Sequence, residues 1–392
     1  MGGDELECRL EALRTRGVDV VDPRQVYIDS RVDLERICAG ATLYPGTRLL
    51  GARTFVGSGA RIGTEGPATI EDSVLADRSE VASGFVSGAV LLRDARLGAN
   101  AHVRAGTLLE EEASVAHAVG LKQTLLLSFV TLGSLINFCD ALVAGGTSRR
   151  NHTEIGSGFI HFNFTPWGES GDKATPSLVG DVVRGVLLRE ARIFLGGLSG
   201  LVGPQRVGFG SFTIAGQVVR SEVAEGRIVG SAPRRVERPF DARPTTPVEP
   251  VLRKNAEYIG QLRALAAWYA EVRAPRIPSG PEHAGQRIVI AAASELIHGC
   301  IAERMARASA LAAERGASFS LSAAPAPPCP VEVAPTEAYV DHVEWVRALP
   351  EPTAAALGAW LGEIASGATI EAGATIEAGA KLGSVDASGS TA

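Results

Sequence analysis

The chain has 392 residues, with 38 Lys and Arg against 44 Asp and Glu for a net charge of -6, and 45 glycines beside only 12 Phe, 5 Tyr and 4 Trp. At 45% hydrophobic and 21% charged residues it can bury a core, which excludes wholesale disorder, and its mild acidic balance excludes a dedicated nucleic-acid binder. No apolar run approaches the roughly 20 residues that span a bilayer, and the acidic start Met1 to Glu5 is not that of a signal peptide, so a cytoplasmic protein with no membrane partner is expected.

Residues 1–22 form an N-terminal arm in which Glu5 to Arg16 reads as a short helix. A repeat dominates 23–235. Aliphatic residues fall at Leu97, Val103, Leu109, Val115, Leu121 and Leu127, and small residues at Ala95, Ala101, Thr107 and Ala113 stand two places before the first four. A period of six fits neither a helix nor an alternating strand. With one large and one small inward residue per hexad it predicts a parallel β-helix, in which three short strands make one triangular coil. The phase returns at Leu43 and Leu49, shifts by one at Val56 and Ile62, and reappears at Leu201 and Val207. Between about 144 and 192 the hexads are interrupted by Arg149, Arg150, His152, His161, Asn163, Trp167 and Lys173 among Gly and Pro. An excursion so rich in reactive side chains reads as functional.

A Pro- and Arg-rich linker covers 236–250, and helical periodicity then takes over to residue 365. Ile259, Leu262, Leu265, Tyr269 and Val272 make one stripe, and Ile297, Ile301, Met305 and Ala308 another. These helices read as a packing or oligomerisation layer. The tail, 366–392, returns to hexads with Ile370, Ile376 and Leu382, and forms either a terminal coil or a disordered terminus. Cys8, Cys38, Cys139, Cys300 and Cys329 lack the paired spacings of a zinc or redox motif and read as reduced thiols.

Across 17–235 the order of motifs resembles the acetyltransferase half of the bifunctional glucosamine-1-phosphate acetyltransferase / N-acetylglucosamine-1-phosphate uridyltransferase family. The motifs are Val18-Asp19-Val20-Val21-Asp22-Pro23 with Tyr27-Ile28-Asp29, then His102-Val103-Arg104-Ala105-Gly106-Thr107, Gly120-Leu121-Lys122, Asn163-Phe164, Phe194-Leu195-Gly196-Gly197 and Thr213-Ile214-Ala215-Gly216. The resemblance implies a left-handed β-helix, against the usual right-handed crossover, assembled as a homotrimer with sites between subunits. It implies acetyl-CoA or another acyl-CoA as co-substrate and an amino sugar phosphate or nucleotide amino sugar as acceptor. The uridyltransferase half is not expected, because only the arm precedes Val18.

The same resemblance puts Arg104 and Lys122 on the acceptor's phosphate, Glu154 at a sugar-contacting asparagine, Asn163 at the asparagine of an Asn-Tyr-Asp-Gly motif and Lys173 at a substrate lysine. Ser157, Gly197 and Ala215 fall on the coenzyme side, and no metal is implied. The departure is at the base: Ser134 stands where the family carries its catalytic histidine, and Asn137 where it carries a tyrosine. An unassisted hydroxyl is a poor proton acceptor at neutral pH. His152, in a six-residue insertion, is expected to replace the base if its loop folds over the site, with His161 as the second candidate. About ten further residues before Phe194 are expected to enlarge or cover the site. A silent sugar-phosphate-binding scaffold is the competing reading, and a metal site built on His117 and His152 is a third that lacks a closely spaced third ligand.

Overall fold

The computed structural model describes residues 3–165, 173–230, 237, 247–322, 325–335 and 339–370. Trp167 and the hexads after Ile370 lie outside the described residues. After helix α1, Gly3–Thr15, the chain enters a left-handed parallel β-helix. Each hexad contributes one side of a coil. Leu97, Val103 and Leu109 belong to the successive strands Arg96–Leu97, Ala101–Val103 and Thr107–Leu109, and all three side chains are buried. One coil later they are matched by Val115, Leu121 and Leu126 in parallel register.

We refer to these as the first, second and third sides. The first side is an eleven-stranded sheet running from Asp19–Val20 to Ile228–Val229. The second and third sides join in one sixteen-stranded sheet, because strands Gly120–Leu126 and Asn137–Val143 run through both. The hexad phase was expected to continue to Leu127, but Leu126 is the residue paired with Leu109. The reason lies in the corner. The preceding coil turns through Ala105 and Gly106, whereas this one turns at Gln123 alone, in the left-handed region at φ 48°. One residue is saved, and Leu127 is still buried.

Among the described residues, two excursions with secondary structure of their own leave the coils. Gly146–Ser148 and Asn151–His152 form a small antiparallel hairpin. The second carries the short helix α2, Val182–Gly185, whose N-cap Asp181 accepts from the Arg184 amide at 2.9 Å, while the Val182 amide donates to Gln261 Oε1 at 2.8 Å. Sequence reasoning expected this segment to enlarge or cover the site. It instead docks the helical extension, with Val183 and Leu187 facing Gly362 and Gly358.

The extension comprises α3, Val248–Ala267, α4, Ala284–Glu314, α5, His342–Ala348, and α6, Glu351–Ser366. Helix α4 lies along the third side, touching strands Val74–Leu75, Ala89–Leu91 and Thr107–Leu109. Its Val289, Ala293, Ile297 and Cys300 are buried there in the same cluster as the coil interior. Ile370, expected in a terminal coil, pairs antiparallel with Leu321 within the extension. With the third side covered by helices, the first and second sides and the corner between them remain open.

Candidate functional site

At the corner between the first and second sides, equivalent positions of successive coils stack into a column. The register Val115↔Leu132↔Ile155↔Leu195↔Thr213, carried two residues onward, aligns His117, Ser134, Ser157, Gly197 and Ala215. Backbone bonds continue the alignment: Leu135 donates to His117, Gly158 to Ser134, Leu198 to Ser157 and Gly216 to Gly197. The structure therefore brings together Ser134 and the three residues expected on the coenzyme side. Small residues are required at this corner for a local reason as well. A Cβ on Gly133 would come 2.7 Å from the Ser157 amide, and one on Gly196 would come 2.4 Å from that of Ala215.

Polar contacts tie the upper part of the column. The Ser134 amide donates to Ser157 Oγ at 3.1 Å. Ser134 Oγ lies 3.0 Å from Nδ1 of His117, the residue one coil before it. No other hydrogen bond of the His117 ring exists among the described residues, and the imidazole is exposed.

Across the second side, Asn137 begins the strand that follows Ser134 and is exposed. At the far edge Arg104 and Lys122 occupy neighbouring coils, since Val103 pairs with Leu121. Cys139 follows in the same row; its Sγ is 3.7 Å from the Arg104 guanidinium. Burial pushes the Cys139 thiol up, and the two cations oppose that only in part. Lys122 has no ion-pair partner among the described residues, so an outside anion meets no competing carboxylate on it.

Asn163 lies past the second side, where its Nδ2 donates to Asp140 Oδ2 at 2.8 Å. Asp140 is itself held by Arg304 of α4 at 3.0 Å. Lys173 Nζ sits 5.9 Å from the centre of the Phe164 ring. Beside them opens a cavity of about 470 Å³, lined by Phe162, Phe164, Thr175, Gln205, Arg220 and Lys254 among others, with no carboxylate among the described residues of its wall. Thr175 is 1% exposed and its hydroxyl has no hydrogen-bond partner among the described residues.

The two histidines expected to supply the base do not meet Ser134. His152 sits on the hairpin before strand Glu154–Ile155, whereas the column crosses just after that strand, so the width of the first side, on the order of 15 Å, separates them within one chain. The loop does not fold over the corner because Arg149 fastens it to the first side, donating to the carbonyls of Glu112 and Phe129 and to Thr131 Oγ1. His152 Nδ1 instead meets the Arg149 carbonyl at 2.8 Å, and its Nε2 is 3.9 Å from Glu154, which is exposed on the first side. His161 is inside the coil, 3% exposed, with its ring between the Cys139 carbonyl and Ser177 Oγ. Burial pushes its pKa down to about 4, so it is neutral and fully engaged. His117 and His152 lie at opposite edges of the first side, and among the described residues no three His, Cys, Asp or Glu are grouped to hold a metal ion.

Sequence reasoning passed over His117 as a partner of Ser134, although the interval between them is 17 residues, one coil. It also passed over Asp140 and Arg304, which fix Asn163.

No family model matches the chain. Among curated proteins it is similar to the bifunctional protein GlmU of Clavibacter sepedonicus, 30% identical over 233 residues, which are 59% of this chain and 42% of that protein. The GlmU of Micrococcus luteus is 31% identical over 55% of this chain and 38% of its own length. That of Thermus thermophilus is 32% identical over 54% of this chain and 41% of its own. The chain thus spans about two fifths of the length of the curated relatives it matches, and they bear out the resemblance carried by the motifs.

Proposed function

We propose, from the premise that these coils are related to part of the bifunctional GlmU proteins, that the chain is a CoA-dependent N-acyltransferase acting on a nucleotide amino sugar or amino sugar phosphate. The observation that carries this is the stacked corner of Ser134, Ser157, Gly197 and Ala215 beside the Arg104 and Lys122 row. A lane of small side chains lets an extended thiol arm lie against the coils. An Arg and a Lys on neighbouring coils suit phosphate oxygens, the guanidinium bidentately and the ammonium as a point charge.

A nucleotide-linked acceptor is favoured over a simple sugar phosphate. The cavity past Asn163 offers exposed rings of Phe162 and Phe164, two cations, Arg220 and Lys254, and the Thr175 hydroxyl, which is unpartnered among the described residues. Exposed aromatic faces next to cations match a nucleobase and its phosphates. In this reading Asn163, next to the cavity residues Phe162 and Phe164, and Lys173, 5.9 Å from the Phe164 ring, contact the sugar.

We assign a homotrimer, with the corner of each chain completed by a neighbour. What supports it is apolar exposure at that corner and on the later coils of the first side: Leu198 is 82% exposed, Ile228 76% and Leu135 60%.

The test is thiol release from acetyl-CoA by the full-length protein with a panel of amino sugar phosphates and nucleotide amino sugars, run beside a mass measurement in solution. Acceptor-dependent release that Arg104→Ala weakens mainly through the acceptor KM is expected. Saturable sugar binding with no release would replace the transferase with a silent scaffold.

A further inference from the structure

We propose that His117 is the general base of this site, with Ser134 as the residue that positions it. The assignment rests on the acyl-transfer function above and supplies the proton acceptor that Ser134 alone cannot be. Its ground is the stacking of the corner: His117 and Ser134 hold equivalent places on adjacent coils, and the ring reaches forward so that Nδ1 lies 3.0 Å from Ser134 Oγ. The imidazole thereby points along the column toward Ser157 and Gly197.

The contact fits either tautomer, since a hydroxyl both donates and accepts, and the proposed base is the one that carries its proton on Nδ1. When Nδ1–H donates to Ser134 Oγ, Nε2 carries the free lone pair, and Nε2 has no other partner among the described residues. Ser134 is itself fixed, because its amide donates to Ser157 Oγ at 3.1 Å and its carbonyl accepts from Gly158. As the acceptor in this tautomer Ser134 orients the ring without adding charge, whereas an acceptor-only carboxylate or carbonyl would also fix the tautomer.

In the reaction the nitrogen lone pair of the neutral acceptor amine attacks the thioester carbonyl carbon of the acyl-CoA. The N–C bond forms and the C–S bond breaks. The proton lost by the amine passes to His117 Nε2 and from there to the departing thiolate, which leaves as the free thiol, so the imidazole ends the cycle neutral. The base has moved by one coil relative to the position its relatives' pattern predicts, and the side chain's reach makes good the displacement.

The experiment measures thiol release, with full acceptor kinetics, for the wild-type chain, His117→Gln, His117→Gly and Ser134→Ala. His117→Gln is expected to lower kcat by about 100-fold or more while the acceptor KM changes little. Added imidazole is expected to restore part of the rate to His117→Gly, a response that a purely structural role would not give. Ser134→Ala is expected to lose less than His117→Gln, because it removes only the orientation of the ring. Retained activity in His117→Gln, or no rescue of an inactive and folded His117→Gly, overturns the base and leaves the transferase standing. Accumulation of an acylated Ser134 overturns its positioning role, with Ser134 then the nucleophile. A wild-type chain that binds the sugars without releasing thiol overturns the transferase itself, and with it the base.

Discussion

A buried imidazole that uses both nitrogens makes the molecule sensitive to acid in a definite direction. Nδ1–H of His161 donates to the Cys139 carbonyl, and Nε2 accepts from Ser177 Oγ at 2.8 Å. Desolvation of the charged ring inside the coil pushes the group down to about 4, although the hydrogen bond to the Cys139 carbonyl opposes it. In the unfolded chain an ordinary histidine protonates near pH 6.5, so between that value and about 4 the unfolded state binds more protons than the folded one. Stability is therefore intact above about pH 6.5 and is lost as pH falls through this window, by roughly 3 kcal/mol once the folded value is passed. Burial and the nearby guanidiniums push His342 down as well, with the same sign. Urea unfolding at pH 7 and pH 5 is expected to show a lower midpoint at pH 5, and a smaller drop in His161→Gln; an unchanged drop would remove His161 from the account. At Asp140 the issue is pairing. It accepts from Asn163 and from Arg304, which is 2% exposed, so Asp140→Ala strips a buried guanidinium of one partner and frees the amide expected to face substrate. A loss of about 3–5 kcal/mol is expected in unfolding experiments, with a weaker acceptor KM if Asn163 positions the sugar.

Corners, more than sides, decide what each coil tolerates. Gly84, where a corner gives way to strand Gly84–Ser87, has φ 119°, and a Cβ there would lie 2.1 Å from the Ala101 carbonyl oxygen, whereas at Gly216, φ 74°, a Cβ would meet nothing within 4 Å. Gly84→Ala should cost about 2 kcal/mol or more and Gly216→Ala only the strain of its backbone, about 1 kcal/mol. Comparable melting losses for the two would mean that backbone conformation, and not the close approach between coils, sets the requirement. The same distinction explains what could be read from the sequence. The sides were legible because Leu97, Val103 and Leu109 face one interior and repeat every six residues, whatever lies outside them. The amphipathic stripes of α3 and α4 were legible for the same reason. Vertical neighbours were not, because a corner of one residue at Gln123 in place of two at Ala105 and Gly106 shifts which residues stack, and the hexad count passes over it. Ser134 was visible as a substitution, but its partner one coil away was hidden in a 17-residue interval. His152 drew attention by lying in an insertion, yet the Arg149 contacts that hold its loop to the first side have no local signature.

The helical extension and the coils are bound by more than apolar contact, and this sets how the whole molecule unfolds. On the third side Glu110 and Glu111, 3% and 5% exposed, face Arg273 from the segment that follows α3. Arg273 lies 3.3 Å from Glu110 and also bonds Glu111, while Tyr269 Oη donates to Glu110 at 2.8 Å and the Ser128 amide donates to its other oxygen. Burial pushes the Glu110 carboxyl up, and only the guanidinium and these hydrogen bonds resist it. A buried cluster of this kind contributes little net stability, because desolvation offsets the attraction, but removing one member exposes the full cost of the others. Arg273→Ala leaves two carboxylates inside without the cation bonded to them and is expected to destabilise the chain by about 3–5 kcal/mol. The triple change Glu110→Gln, Glu111→Gln, Arg273→Met removes the charges together and is expected to recover most of that loss. The number of transitions is the second readout. Since the coil interior and α4 share one apolar core, the wild-type chain should melt once in calorimetry, and Arg273→Ala should split that transition, with the helices leaving first. A single transition retained in Arg273→Ala, at an unchanged temperature, would mean that the apolar face of α4 holds the two parts together without help from the buried charges.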